Sequence, residues 1–175
     1  FMLGTGGSCR QPGATVNLAS ANPRAFADSE VIDLKGTGTL KIHLDCATGL
    51  KPADRNGYSD PYVKLSLAGN KFKSKTVKKS INPRWDETFE IKGVLGQLID
   101  QKFELEVWDY DFGPQRDDYL GKAILYLGKL KSQRLVDFVQ PLDDKQAVHG
   151  KIQLRLEWIP DALSLIHISE PTRQS

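Results

Sequence analysis

The sequence predicts an all-β protein, an antiparallel eight-stranded β-sandwich. Short segments in which apolar and polar residues alternate recur at roughly ten-residue spacing, and this period of two is typical of strands with one buried face. Gly, Pro, Asn or Asp bounds each segment, as expected for turns between strands. Long helical segments do not alternate with these strands, which argues against a parallel α/β sheet.

The clearest strand begins near Thr39, where Leu40, Ile42, Leu44 and Cys46 fall on one face of an extended chain. The same alternation predicts three further long strands, through Val63/Leu65/Leu67, Phe103/Leu105/Val107 and Ile152/Leu154/Leu156/Trp158. Shorter strands are predicted at residues 75–77, 87–91, 121–127 and 136–139, and one or two helical turns at 94–101. Each prediction depends on the alternation and on the flanking turn residues.

The length of 175 residues allows one domain with two tails. Residues 1–35 are rich in Gly, Ala, Ser, Asn and Pro, which predicts a flexible linker in which only residues 30–34 could form a short extended piece. The folded domain is expected at residues 36–160. Residues 161–175 are expected to be a non-native or disordered tail, because the final SLIHISEPTRQS resembles a translated sequencing adapter.

The overall charge excludes some functions. A formal net charge of +2 gives no global field that would attract nucleic acid, so electrostatic function must arise from local clusters. No run approaches the roughly 20 apolar residues needed to span a bilayer. We therefore expect any contact with a membrane to be peripheral.

Two acidic segments are the strongest functional signal. The first contains Asp54 and Asp60, and the second runs from Asp109 through Asp111 to Asp117 and Asp118. A single Asp is an ordinary turn residue, but clustered carboxylates repel one another unless a cation neutralises them. Flexible loops of oxygen ligands favour Ca²⁺ over Mg²⁺, and the absence of His and Cys from both segments argues against zinc.

An EF-hand does not explain the second segment. Counting from Asp109, Gly113 is the fifth residue instead of the sixth, and the flanking residues are predicted strands.

Four motifs give a specific resemblance. SDPYVK (59–64), NPRWDETF (82–89), WDYD (108–111) and DYLG (118–121) have the order and spacing of a C2 domain over about residues 37–159. This resemblance implies a C2 Greek key of the circularly permuted, type II arrangement, because the first strand leads directly into the first acidic segment. The sequences of these motifs most resemble those of extended synaptotagmins, tricalbins and multiple-C2 transmembrane proteins.

The resemblance implies two to three Ca²⁺ ions bound by Asp54, Asp60, Asp109, Asp111 and Asp118. By the same matching, the backbone carbonyls of Ala53 and Tyr110 would complete the coordination. The spacing from Asp111 to Asp118 is one residue longer than is usual in the family, so Asp117 stays an alternative to Asp118.

Basic and aromatic residues suggest how a membrane is reached. Lys64, Lys73 and Lys75 match the family's lysine-rich groove for phosphoinositides, although lysines also protect exposed sheet edges. Phe112 and Arg116 are predicted at a loop tip, where they could meet lipid chains and phosphates.

The expected function is Ca²⁺-dependent binding of anionic phospholipids. Phosphatidylserine is the expected lipid, with phosphoinositides as a second candidate, in a membrane-targeting or tethering module on the cytosolic face of membranes. The parent protein would be cytoplasmic and multidomain. The alternative is a Ca²⁺-independent protein-interaction C2 module. An enzyme is not expected, because no nucleophile, His partner or phosphate-binding Gly loop accompanies the carboxylates.

Overall fold

A computed structural model describes residues 31–145 and 147–161 of the chain. Most of the predicted linker and of the predicted tail therefore lies outside the described residues. The elements in chain order are β1 (Thr37–Thr48), β2 (Pro61–Leu67), β3 (Asn70–Lys73), β4 (Arg84–Val94), α1 (Leu95–Ile99), β5 (Lys102–Asp109), β6 (Asp118–Tyr126), a 3₁₀ helix (Leu127–Lys131), β7 (Leu135–Asp143) and β8 (Val148–Pro160).

The eight strands pair antiparallel in the order β3-β2-β5-β6-β7-β8-β1-β4. Between β6 and β7 only Lys122 and Asp143 are paired, so the sheet divides into two four-stranded halves. The inner faces of both halves contribute to one core. The predicted antiparallel sandwich is confirmed, and β1 leads into the first acidic loop as the type II arrangement requires.

The period of two explains which residues are buried. Leu40, Ile42 and Leu44 of β1 are fully buried, and β5 buries every second residue from Phe103 to Asp109. Trp85 fills the core with no exposed surface, and its indole N–H donates to the Pro61 carbonyl at 3.2 Å. Burying such apolar side chains stabilises the fold by roughly 1.5–3 kcal/mol each.

The third strand differs from its prediction. A strand was expected at residues 75–77, but β3 is Asn70–Lys73, joined to β2 by a two-residue turn at Ala68 and Gly69. Ser74 ends the ladder, because it is buried and its hydroxyl accepts the Val63 N–H at 2.8 Å. Residues 75–77 form no strand, although the Val77 N–H still donates to the Pro61 carbonyl of β2 at 3.0 Å, so the strand predicted there was wrong.

The other short strands and the helical turn are confirmed as elements, with β4 and β7 longer than predicted. Residues 31–34 form no strand, contrary to the extended piece considered there. Ile32 and Leu34 are instead partly buried against the core, and the Leu34 carbonyl accepts the Gly96 N–H at 2.7 Å. Neither helix in residues 31–145 and 147–161 is long and apolar enough to cross a membrane.

The chain enters and leaves the sandwich at the end opposite the acidic loops. The Thr37 hydroxyl donates to Asp161 Oδ2 at 2.7 Å, and the Asp161 N–H donates to the Thr37 carbonyl at 3.0 Å. These bonds hold the beginning of β1 beside the residue that follows β8.

Candidate metal centre and lysine groove

The two acidic loops meet at one end of the sandwich because of the pairing of β2, β5 and β6. Residues 49–60 connect β1 to β2, and residues 110–117 connect β5 to β6. Pro61 pairs with Asp109 in one ladder, and Asp109 pairs with Asp118 in the next. The register therefore brings the ends of both acidic loops to the same end of the sheet, where β2, β5 and β6 begin or end.

A buried serine shapes the first loop. The Ser59 hydroxyl accepts the Ala53 N–H at 2.9 Å and donates to the Lys51 carbonyl at 3.0 Å. The Asp54 N–H donates to the Tyr58 carbonyl at 2.9 Å, which closes a tight turn. Gly57 adopts a φ of +86° inside this turn, a conformation that a side chain would strain.

Three carboxylates form a compact cluster. Ligand oxygens of Asp54, Asp109 and Asp111 lie within 4.8 Å of one another. Asp109 is completely buried, and its Oδ1 accepts the Asp60 N–H at 2.6 Å. Asp109 Oδ2 is also buried and has no hydrogen-bond partner in the described part of the chain. A buried polar oxygen without a partner costs about 1–3 kcal/mol, and more when it is charged.

The electrostatics of the cluster disfavour negative charge. Burial raises the pKa of Asp109 to about 6, and the charges of Asp54, Asp111 and Asp60 add to this against the hydrogen bond from Asp60. The pKa of Asp111 is also raised, first by burial and then by the charge of Asp118. All the side-chain donors are oxygens, so the cluster fits a hard divalent cation that prefers oxygen, such as Ca²⁺.

The other predicted ligands lie around this cluster. Asp60 Oδ1 accepts the Lys79 N–H at 2.7 Å, and the Asp60 carbonyl accepts the Tyr110 N–H at 2.9 Å. Asp118 is exposed at the start of β6. The structure brings Asp60 and Asp118 to the site but does not include them in the compact cluster of three.

Asp117 uses both carboxylate oxygens for hydrogen bonds. Oδ2 accepts the Tyr62 hydroxyl at 2.5 Å, and Oδ1 accepts the Asp111 N–H at 3.1 Å. The hydrogen bond from Tyr62 is the main reason that the pKa of Asp117 lies below its ordinary value. This carboxylate therefore differs from that of Asp109, of which one oxygen accepts no hydrogen bond from the described part of the chain.

The tip of the second loop is apolar and basic. The side chain of Phe112 is 91% exposed, and Arg116 is exposed in the same loop. Tyr58 and Tyr110 are also partly exposed near the acidic end. A singly exposed apolar side chain is common on protein surfaces, so the significance of Phe112 lies in its position in the loop that directly follows Asp109.

A lysine groove lies on the outer face of β2, β3 and β5. This name denotes a cavity of about 460 Å³ lined by Lys64, Leu65, Ser66, Lys71, Phe72, Lys73, Glu104 and Glu106. Lys64 pairs with Lys73 across β2 and β3, so both point to the same face. Their ammonium groups lie 4.6 Å from the Trp108 ring and 4.4 Å from the Tyr62 ring, respectively.

The groove differs in part from the sequence expectation. Lys75 is exposed beyond β3 and is not among the lining residues, whereas Lys71 lines the cavity. Glu104 and Glu106 also line it, and Glu104 lies 2.9 Å from Lys122. In a strand at residues 70–73, Lys71 and Lys73 are two positions apart and therefore lie on the same face. A correct prediction of β3 would thus have included Lys71 in the groove.

Sequence reasoning also missed Ser59 and Tyr62. Ser59 lies in the first acidic loop, and a serine hydroxyl in a loop commonly forms hydrogen bonds with nearby backbone groups. The sequence could therefore have indicated a role for Ser59 in shaping the loop. The contact of Tyr62 with Asp117 joins residues 55 positions apart, and no local pattern indicates it.

The fold and the site together define a class: an antiparallel β-sandwich that presents carboxylate-bearing loops at one end. The family model for the C2 domain matches residues 38–142, and the chain belongs to the C2 domain family.

Several relatives resemble this chain. Extended synaptotagmin-3 of Xenopus tropicalis is 37% identical over 139 residues, which cover 76% of this chain and 14% of the relative. Extended synaptotagmin-1 of Homo sapiens is 36% identical over 143 residues, which cover 78% of this chain and 12% of the relative. The chain thus spans only a small part of these relatives.

Solved structures give the same family. A pair of C2 domains from extended synaptotagmin 2, solved calcium bound, matches with a TM-score of 0.61 and 29% identity over 79% of this chain and 52% of that chain. A single C2 domain of plant extended synaptotagmin 1 matches with a TM-score of 0.64 and 23% identity over 73% of this chain and 98% of that chain, which supports the fold.

Proposed function

We propose that this domain binds anionic phospholipid membranes in a Ca²⁺-dependent manner. The observation that carries the proposal is the Asp109 carboxylate, which is fully buried beside Asp54 and Asp111 and has one oxygen without a hydrogen bond from residues 31–145 and 147–161. A bound divalent cation would supply the missing partner and offset the repulsion between these groups. The calcium-bound structure of extended synaptotagmin 2 supports the choice of ion.

The proposed ligands are the carboxylates of Asp54, Asp60, Asp109, Asp111 and Asp118, with the carbonyls of Ala53 and Tyr110. We assign the fifth carboxylate to Asp118 because both oxygens of Asp117 already accept hydrogen bonds. Two to three ions are expected, since Ca²⁺ takes six to eight oxygens and these residues together offer oxygens for more than one ion.

Charge explains how ion binding would control membrane binding. The five proposed ligand carboxylates carry a charge of about −5 when they are ionised, which an anionic membrane repels. Two or three bound divalent ions would bring the charge of this group to about −1 or +1, and phosphate or serine carboxylate oxygens of lipids would be able to complete the coordination of the ions. Ca²⁺ and the lipid must then each raise affinity for the other by the same factor.

The loop tip and the lysine groove would add further lipid contacts. The exposed Phe112 would insert at the lipid interface, and the exposed Arg116 of the same loop would meet phosphates. Lys64 and Lys73 would attract the phosphates of a phosphoinositide headgroup, and Lys75, exposed two residues after β3, would add a further positive charge. Each lysine near an anionic leaflet contributes about 1 kcal/mol.

The context of the domain follows from its relatives. Because the chain spans 14% and 12% of two extended synaptotagmins, we infer a multidomain parent in which this domain targets or tethers a membrane. The cytosolic face of that membrane is the expected location, since anionic lipids are concentrated there.

Sedimentation with phosphatidylserine vesicles tests the proposal. We expect the domain to pellet with the vesicles in Ca²⁺ and to stay in the supernatant in EGTA. Calorimetry in the absence of lipid should show Ca²⁺ binding, and thermal unfolding should shift upward with Ca²⁺. Equal pelleting in EGTA would contradict the Ca²⁺ dependence of membrane binding. The absence of a thermal shift with Ca²⁺ would contradict Ca²⁺ binding and favour a Ca²⁺-independent protein-interaction module.

A further inference from the structure

Tyr62 connects the rigid sheet to the second acidic loop. It lies in β2, is 2% exposed, and pairs with Trp108, the residue before Asp109. Its hydroxyl donates to Asp117 Oδ2 at 2.5 Å. The second oxygen of the same carboxylate accepts the N–H of Asp111, whose own carboxylate belongs to the compact cluster.

These two hydrogen bonds place Asp117 between Tyr62, which is fixed in the sheet, and Asp111, which lies in the exposed second loop. Tyr62 is fixed because its ring is buried and because the Lys73 ammonium lies 4.4 Å from the ring centre. Asp111 lies in a loop whose residues 112–116 are all exposed. A short charge-assisted hydrogen bond is among the stronger polar contacts in proteins, so it can transmit the rigidity of the sheet to the loop.

We propose that Tyr62 and Asp117 are positioning residues that hold Asp111, and with it the second acidic loop, in the shape that receives Ca²⁺. This inference rests on the proposed Ca²⁺ function. Asp117 then serves the loop backbone while Asp118 serves the ion, which gives the two consecutive aspartates different roles. Holding the loop in advance lowers the ordering cost that would otherwise oppose ion binding.

The local electrostatics support a charged Asp117 in this role. After the hydrogen bonds from Tyr62 and Asp111, the charges of Lys73 and Lys64 also hold the pKa of Asp117 below its ordinary value. The lysine groove therefore stabilises the carboxylate that orders the acidic loop. Removal of the Tyr62 hydroxyl leaves every charge in place, so Tyr62→Phe tests the hydrogen bond alone.

The experiment is a double-mutant cycle on Ca²⁺ affinity, measured by calorimetry without lipid in wild type, Tyr62→Phe, Asp117→Asn and the double variant. We expect Tyr62→Phe to weaken Ca²⁺ binding by about fivefold, the low end of coupling between sites. The double variant should be no weaker than Asp117→Asn, because the two residues act through one bond. Tyr126→Phe, which removes an exposed hydroxyl at the opposite end of β6, is the matched control.

A second measurement separates loop positioning from general destabilisation. Amide hydrogen exchange in EGTA should become faster at Asp111 in Tyr62→Phe while amides in β1 and β8 keep their protection. Unchanged Ca²⁺ affinity in Tyr62→Phe, additive effects in the cycle, or unchanged exchange at Asp111 would overturn the inference while leaving the proposed function intact. No Ca²⁺ binding by the wild type would overturn both.

Discussion

The acidic loops and the lysine groove are neighbouring regions that differ in how their charged side chains are compensated. In the loops, Asp54, Asp109 and Asp111 crowd together, and one buried oxygen of Asp109 has no hydrogen-bond partner in the described residues. In the groove, Lys64 and Lys73 each lie against an aromatic ring, and Glu104 is paired with Lys122.

This difference separates a region that a bound cation should stabilise from one whose charges are already compensated. Asp109 is buried and Asp54 and Asp111 are half-buried beside it, so their mutual repulsion lowers the stability of the fold and a bound cation should raise that stability. The groove lysines already have favourable neighbours, and their contacts with the rings are worth about 0.5–1 kcal/mol each at exposed sites. An anion bound in the groove would make favourable contacts with the lysines, but it would not relieve any repulsion comparable to that among the carboxylates.

The largest effect is expected when the cluster is neutralised. Asp109→Asn/Asp111→Asn should weaken Ca²⁺ binding by about a hundredfold or more, because two charged ligands are lost. The same variant should melt at a higher temperature than wild type in EGTA, since the repulsion is relieved while the introduced amide oxygen can still accept the Asp60 N–H. Calorimetry and thermal unfolding measure the two outcomes.

Asp100→Asn, which neutralises an exposed carboxyl after α1 at the opposite end, is the control for that variant. A lower melting temperature in EGTA together with unchanged Ca²⁺ affinity would show that the cluster is an ordinary structural feature.

The groove should respond in a different assay. Lys64→Met/Lys73→Met should weaken binding to vesicles containing phosphatidylinositol 4,5-bisphosphate by about 2 kcal/mol, at about 1 kcal/mol per lysine. Ca²⁺ affinity measured without lipid should fall by a smaller factor, because these lysines affect the acidic loop indirectly, through Tyr62 and Asp117. Lys92→Met/Lys131→Met removes two exposed lysines elsewhere and should have little effect on vesicle binding. Equal losses in both pairs would indicate a nonspecific charge effect.

The loop tip should contribute a smaller amount. Phe112→Ala should speed dissociation from phosphatidylserine vesicles about fivefold, because partial burial of a ring is worth about 1 kcal/mol. Stopped-flow release into EGTA measures this rate. The control is Tyr126→Ala, which removes an exposed aromatic ring at the opposite end of the sandwich and should leave the dissociation rate unchanged. Phe112→Ala should also leave the Ca²⁺ affinity in solution unchanged.

The effect of pH on the acidic loops should be smallest. Because the pKa of Asp109 is about 6, a fall from pH 7 to pH 5.5 should weaken Ca²⁺ binding about fourfold through protonation of this one carboxyl. A raised folded-state pKa means that the metal-free fold binds more protons than the unfolded chain. Asp109 should therefore favour the metal-free fold as pH falls through 6 and disfavour it as pH rises.

Calorimetry and thermal unfolding at pH 5.5, 6.5 and 7.5 measure both trends. Ca²⁺ affinity that is constant across this range would contradict the assignment of Asp109 as a ligand with a raised pKa. Asp109→Asn should remove most of the dependence.

Sequence alternation predicted most of the fold for a simple physical reason. β1 and β8 each bury every second side chain over several positions, so their period is visible without tertiary information. β3 was misplaced because its pattern is short and polar. Its turn also uses Ala68 at a φ of +50°, where Asn or Gly would have given a recognisable hairpin signal.

The candidate site was predictable only in part. The resemblance at residues 108–111 and 118–121 indicated which aspartates to compare, and strand pairing accounts for the proximity of Asp54 to Asp109 and Asp111. The distinction between Asp117 and Asp118 depends on side-chain directions around β6. The contact between Tyr62 and Asp117 arises from packing across two strands, which the sequence does not encode locally.

The position of Thr37 and Asp161, where the sandwich begins and ends, has a mechanical consequence. Thr37 and Asp161 are bonded to each other at the end of the sandwich farthest from the acidic loops, and β1 spans 12 residues between the two ends. At about 3.3 Å per residue, a docked domain would hold its flanking segments about 40 Å from the lipid surface. Tension applied at Thr37 and Asp161 would break the hydrogen bonds between β1 and β8 one after another, beginning at Thr37, because both residues lie at the same end of this antiparallel pair.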